Sequence, residues 1–357
     1  MKKGFLVVMP LIVILLGGCW DEAQYKDVTI VPVMGITKED EGVKANFSYP
    51  TFENGEINYS KSEGKGLSTR EAREDANHRT MEALDISHLE VLLVSAEIAK
   101  EDLYEPLDQF FRYPRNRITS YIAIVEGDME QYFNPSGELK TDIADFYPEL
   151  LRTAVLYTYV AENTLGETAK LLLDESMDLS LPYIIINENE IPTIEGIALF
   201  SNKHFTGKTL KKQEAILAAI MKKMQGRYTR LTYEWKEKKS PITIEIINVN
   251  RKMKISNGKI DVNYVIDLSV EEFPKNDLYK KETRREAEIF LADKIKKDFE
   301  AIIKKTQEAK SDIIGFGRRV HAFHPELWKR GKWQETYATI PIEVDVKVKM
   351  KRTSILD

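Results

Sequence analysis

The feature that most constrains this fold is a single cysteine, Cys19, in a chain of 357 residues. One thiol forms no internal disulfide, no CxxC redox centre and no multi-thiolate zinc site, so packing and hydrogen bonding must hold the fold together. The composition permits this, because 43% hydrophobic and 31% charged residues describe globular rather than disordered material. A chain of this length has room for roughly two to three domains. With 52 Lys+Arg against 57 Asp+Glu, the mild acidity offers no footprint for nucleic acid. Five histidines are too few and too scattered for metal storage.

The position of Cys19 matters as much as its isolation. Lys2 and Lys3 make a basic start, and Phe5 to Leu16 form an apolar run broken only by Pro10. The run is short for a permanent bilayer span and fits a cleaved export signal over residues 1–18. Its end, Leu16-Gly17-Gly18-Cys19, resembles a bacterial lipobox. Small residues admit the signal peptidase, and the thiol is the nucleophile that accepts a diacylglycerol. Cys19 is therefore the expected lipidation site, and the membrane an expected partner. Two acyl chains anchor far better than one, since each buried methylene contributes about 0.8 kcal/mol.

Periodicity predicts the elements that follow. Residues 26–36 read as a strand interrupted by Pro32, with 43–52 as its hairpin partner, and the polar run 53–66 as a loop or irregular ribbon. Ser68-x-x-Glu71 is a capping box opening a helix to about residue 85, with Ala72, Ala76, Ala83 and Leu84 on its apolar side. A buried strand at 88–96, a helix at 100–112 and a strand at 118–126 suggest an α/β unit. Helices follow at 142–160 and after the capping pair Thr164 and Glu167, then strands at 182–187 and 194–200. Asn187 to Pro192 between them is the best candidate boundary. A helix at 209–224 shows Leu210, Leu217, Ile220, Met221 and Met224 on one side.

The C-terminal part changes character. Strands are expected at 226–234, 241–250 and 259–270, with Asn257-Gly258 as a tight hairpin turn. A helix over 279–308 lines Ala287, Leu291, Ile295, Phe299, Ile302 and Thr306 on its core side. Ile340 to Met350 alternate apolar and polar residues as a half-buried strand. The fold class is α+β, multi-domain: mixed α/β first, then a C-terminal antiparallel sheet with a long packed helix. Residues 1–18 form the signal, 19–190 an N-terminal α/β domain, 191–225 a middle segment or small domain, and 226–357 a C-terminal α+β domain.

No catalytic constellation emerges. His321 and His324 lie three apart near Glu326, but Pro325 breaks the local helix, favouring a structured loop over a metal pair. His78 and His88 read as structural, and His204 as a solvent-facing turn residue. There is no G-x-S-x-G elbow, and Gly315-Phe316-Gly317 follows a helix rather than a strand, a poor setting for a dinucleotide. No catalytic, cofactor-binding or metal residue is assigned.

Several segments carry a resemblance in a fixed order. They are Cys19-Trp20-Asp21 with TIVPVMGI, GKGLSTREAREDA at 64–76, HLEVLLVSAEIAKEDL at 88–103, IEGIALFSNKHFTGK at 194–208 and SDIIGFGRRVHAFHPELWKRGKW at 311–333. Together they resemble the Ger(x)C family, lipoprotein C subunits of nutrient germinant receptors in spore-forming bacteria. The resemblance implies a non-enzymatic subunit tethered through Cys19 to the outer face of the spore inner membrane. It also implies assembly with germinant receptor A and B subunits, with three mixed domains. The nutrient is placed on the B subunit, so no direct small-molecule ligand and no cofactor is assigned here. The alternative is a lipid-anchored solute-binding protein of a transporter, which requires two βαβ lobes about a hinge.

Overall fold

The computed structural model describes residues 27–352 apart from 54, 138, 140, 329 and 330. The expected signal 1–18 and Cys19 lie outside the described residues. The first part of the chain supplies strands β1 (Val28–Ile30), β2 (Val33–Glu39), β3 (Gly42–Glu53), β4 (Glu56–Gly66), β5 (Ala83–Asp85), β6 (Val91–Ser95), β7 (Tyr121–Val125), β8 (Ser180–Ile186), β9 (Pro192–Ser201) and β10 (His204–Lys211). β1 and β5 pair as a small parallel ribbon. The others form one eight-stranded sheet in the order β10-β9-β8-β7-β6-β2-β3-β4. Its centre, β8-β7-β6-β2, is parallel, and antiparallel hairpins extend it on both sides.

Both faces of that sheet are covered, which explains why its strands read as continuous apolar runs. Successive residues of one strand enter different cores. Val91, Leu93, Ala123, Val125 and Leu199 face one core, while Leu92, Val94, Ile122, Ile124 and Phe200 face the other.

Three local expectations change. The polar run 53–66 is largely strand β4, paired with β3 at the sheet edge. Gly55 makes the turn from β3, whereas Gly64 and Gly66 serve packing. A Cβ at Gly64 would lie 2.1 Å from the Ala72 carbonyl oxygen, so the helix Thr69–Asn77 rests directly on the strand. That helix stops well before residue 85, because the Asn77 side chain accepts from the Leu84 N–H at 2.9 Å and draws the chain back into β5. Residues 209–224 divide into the end of β10 and the helix Lys212–Lys222.

Of the expected boundary 187–192, residues 187–191 are the turn of the β8–β9 hairpin and Pro192 opens β9. Asn187 Oδ1 accepts from the N–H groups of Asn189 and Ile191, and Glu190 takes a left-handed conformation with φ 58°. The sheet therefore runs on across residue 190, and β9 and β10 of the expected middle segment complete it. The following helix, Lys212–Lys222, buries seven consecutive residues from Ala215 to Met221. A helix buried all round must be enclosed on every side, not amphipathic as its spacing suggested. It packs between β9 and β10 and the long C-terminal helix.

The second part supplies β11 (Arg230–Trp235), β12 (Ser240–Ser256), β13 (Lys259–Glu272) and β14 (Ile342–Arg352), a four-stranded sheet in sequence order. Asn257 and Gly258 both have positive φ, 52° and 70°, as a two-residue hairpin of the right twist demands. The first three strands are antiparallel as expected, but β14 runs parallel to β13. The reason is the connection: the helix Lys281–Glu308 is a crossover that returns the chain to the same end of the sheet. Its buried stripe is Thr283, Ala287, Leu291, Ile295, Phe299, Ile302, Ile303 and Thr306. Phe290 stacks on Trp235 at 5.2 Å and Phe299 meets Tyr264 edge-on at 4.9 Å.

The fold is thus α+β with an α/β first part. One hydrophobic core runs unbroken from Val33, Val91 and Leu199 of the large sheet through Leu217 and Ile220 to Tyr264, Phe299 and Val346. Two lobes about a hinge are not present among the described residues.

Candidate functional site

The densest polar chemistry lies where the long helix ends. Lys310 is left-handed with φ 52°, and the N–H groups of Lys310 and Ser311 reach the carbonyls of Gln307 and Thr306, each at 2.9 Å. This is a Schellman ending, and it turns the chain so that Asp312 points inward. Asp312 is fully buried. One carboxylate oxygen accepts from the Gly315 and Phe316 N–H groups at 2.8 and 3.1 Å; the other accepts from the Gly317 N–H at 2.7 Å and the Trp333 indole N–H at 2.9 Å. The carboxylate thereby caps the helix Phe316–Phe323, which opens on the G-x-G. An anion occupies that helix start already, and it belongs to the protein.

A second buried carboxylate meets the first. Asp178 accepts from the Asn202 N–H and the Gln334 side-chain N–H through one oxygen, and from the Asp312 N–H at 2.7 Å through the other. The Asp178 N–H in turn donates to the Asp312 carbonyl at 3.0 Å. Burial pushes Asp178 up to about 7, against its N–H donors and with the help of the neighbouring Asp312 charge. Burial likewise pushes Asp312 up from the ordinary carboxylate range, and its donors oppose this. Since residues 174–202 belong to the first part of the chain and 311–337 to the second, the bonds of Asp178 to Asp312 and Gln334 fasten the two parts together. Packing leaves no slack: a Cβ at Gly317 would lie 2.4 Å from the Trp333 ring nitrogen and 2.5 Å from the Ser176 carbonyl oxygen.

Beside this junction lies a cavity of about 390 Å³. Its apolar lining is Met177, Met224, Met253, Ile314 and Phe323, and its charged lining is Lys222, Arg251, Arg318 and Arg319. Arg318 pairs with Asp174 at 2.8 Å. Arg251 donates to the carbonyls of Met221 and Ile314 at 3.1 and 3.4 Å. Lys222 donates to the Ser180 hydroxyl at 3.0 Å, and burial pulls it down to about 8 although the Asp312 charge favours the ammonium. Arg319 lies over the Phe323 ring, 5.2 Å from its centre.

The histidines weighed in the sequence do not converge. His321 stacks on Trp328 at 4.4 Å, whereas His324 Nδ1 meets Glu326 at 3.0 Å. His78, His88 and His204 are exposed and far apart in the chain. Among the described residues, no three His, Cys, Asp or Glu side chains are placed to hold a metal ion. Sequence reasoning missed Asp312, Asp178, Trp333, Lys222 and Arg251. Asp312 was legible, because an Asp shortly before glycines and a short helix is a cap signature. Lys222 and Arg251 carry no local signal, since the central helix and β12 bring them together only in three dimensions.

Comparison with known proteins places the chain among spore germination proteins. Residues 21–186 match the family described as Spore germination protein N-terminal domain, and residues 195–354 match Spore germination B3/GerAC like, C-terminal. Spore germination protein KC of Bacillus subtilis (strain 168) is 22% identical, over 98% of this chain and 95% of its own length. Spore germination protein GerQC of Bacillus cereus is also 22% identical, over 99% and 100%. The solved crystal structure of the GerBC protein superposes with a TM-score of 0.59 at 18% identity, covering 89% of this chain and 97% of that one. At that identity the likeness speaks for the fold.

Proposed function

From the premise that this chain belongs to the Ger(x)C family of spore germination proteins, we propose that it is the lipoprotein C subunit of a nutrient germinant receptor. The observation that carries the reading is the pair of family domains in series, covering residues 21–186 and 195–354 of a single chain. The curated relatives align with it nearly end to end. In this reading Cys19 carries the lipid, the body sits on the outer face of the spore inner membrane, and the partners are the receptor A and B subunits. The lipobox supports the anchor, since it places the chain's one thiol at the end of an export-like run. Among the described residues no helix is long and apolar enough to cross a membrane. The protein's part in the complex is binding and assembly rather than catalysis. The buried carboxylates support this, because Asp178 and Asp312 are engaged by protein N–H groups and have none of the access a reacting group needs.

The test is germination of spores lacking this chain, followed by dipicolinate release across amino acids, sugars and nucleosides, with a Cys19→Ala strain alongside. Loss of one nutrient response in the deletion is the expected result, and the Cys19→Ala protein should lose label from radioactive palmitate and leave the membrane fraction. Every response surviving in a strain stripped of its other receptors would sink the reading.

A further inference from the structure

The receptor reading gives no role to the cavity formed by Lys222, Arg251, Arg318 and Arg319, and its chemistry is specific enough to say what fits there. Four cations line it, and among the described residues only Arg318 has a carboxylate partner, Asp174. Among the described residues, no carboxylate lies within ion-pair distance of Lys222, Arg251 or Arg319. The buried Asp312 does not line the cavity, and its two oxygens already receive four N–H donors. Among the described residues, Lys222 has a single hydrogen-bond partner, the neutral Ser180 hydroxyl. Lys222 feels the Asp312 charge but makes no ion pair with it, and an ammonium partly withdrawn from water without a carboxylate in contact is costly.

The remaining wall is apolar and adaptable. Met177 is buried at the floor, Met253 is half-buried, and Met224 and Phe323 are exposed at the mouth. Thioethers and an aromatic ring beside convergent cations suit an anion with a short hydrocarbon body. We propose that this cavity binds a small organic anion, a carboxylate whose head sits between Lys222 and Arg251 and whose apolar body lies against Met177, Met253 and Phe323. Arg319 closes the mouth as a second cation within reach of the ligand. The cavity volume, about 390 Å³, lies in the range of small-molecule sites, and its walls come from both parts of the chain. Met177 lies before Asp178, while Ile314 and Gly315 lie in the Asp312 turn, so an occupant would touch the junction between the two parts.

The experiment is calorimetric titration of the full chain in detergent at fixed ionic strength, with hexanoate, inorganic phosphate, 1-hexanol, hexylamine and an oligoglutamate as probes. Hexanoate should bind saturably with a dissociation constant of about 1 mM or tighter, with phosphate weaker and competitive, and with hexanol and hexylamine silent. Mass-spectrometric acetylation supplies a second readout: hexanoate should slow modification of Lys222 while leaving the exposed Lys297 unchanged. Lys222→Gln and Arg251→Gln should each weaken binding about tenfold or more. Because Arg251 also holds two backbone carbonyls, the exposed rim variant Arg319→Ala is the safer probe, and it should weaken hexanoate several-fold at an unchanged melting temperature. Absence of saturable hexanoate binding, or binding indifferent to Lys222→Gln and Arg319→Ala, would overturn the proposal. Binding of oligoglutamate alone would also overturn it and mark the cavity as a contact for an acidic segment. None of these outcomes depends on the receptor reading.

Discussion

The Asp312 carboxylate offers the sharpest test of what holds the turn that docks on Asp178. Asp312→Asn keeps the shape but leaves one acceptor oxygen, and whichever way the amide turns, its NH2 faces two N–H donors. Those are either Gly315 and Phe316 or Gly317 and the Trp333 indole. Two orphaned buried donors cost about 1–3 kcal/mol each. Part of this is offset, because a neutral amide avoids the burial penalty that pushes the Asp312 carboxyl up. The expected net loss is about 3 kcal/mol, read from urea unfolding of the full chain in detergent by circular dichroism. A cycle with Trp333→Phe isolates one of the donors. The single Trp333→Phe change should cost less than Asp312→Asn, and the double variant should lose less than the sum by about 1 kcal/mol. An Asp312→Asn protein within about 0.5 kcal/mol of wild type, or strictly additive variants, would refute the assignment of this carboxylate as the organiser of the 312–317 turn.

Three further outcomes follow from particular contacts. Gly317→Ala drives a Cβ against the Trp333 ring nitrogen and the Ser176 carbonyl, and should lower stability by about 2 kcal/mol or more in the same urea assay. Phe299→Ala opens a void under Tyr264 in the shared core and should cost about 3–5 kcal/mol, with both sheets melting together because they share that core. Asp178 is pushed up to about 7 from an ordinary 3.8, so between those values the folded protein holds a proton that the unfolded chain has released. Its contribution is fully present below pH 3.8 and is lost as pH rises towards 7. Stability measured across that window should fall more gently in Asp178→Asn than in wild type, and equal slopes would count against the shift.

Much of this protein is written in local pattern. The stripe Ala287, Leu291, Ile295, Phe299, Ile302 and Thr306 is legible because a helix repeats its buried face every three to four residues. The alternation of Val344, Val346, Val348 and Met350 is legible for the matching reason in a strand, and Asn257-Gly258 because few residues accept two positive φ angles. The lipobox, the absence of a thiolate site and the family resemblance also depend on residues read in order, and they point to Cys19 without any structure.

What the sequence does not contain is the identity of neighbours. The parallel pairing of β14 with β13 is invisible in β14 itself, whose alternation suits either direction; the crossover helix decides it. The buried run Ala215–Met221 reads as one-sided until two layers close over it, and β4 reads as a loop until β3 supplies its hydrogen bonds. Asp178 and Asp312 stand 134 positions apart, and Lys222 and Arg251 come from a helix and a strand. Periodicity records only which face of an element turns away from water. Which element waits on the other side, and which charges that meeting traps together, is settled by the packing of the whole chain.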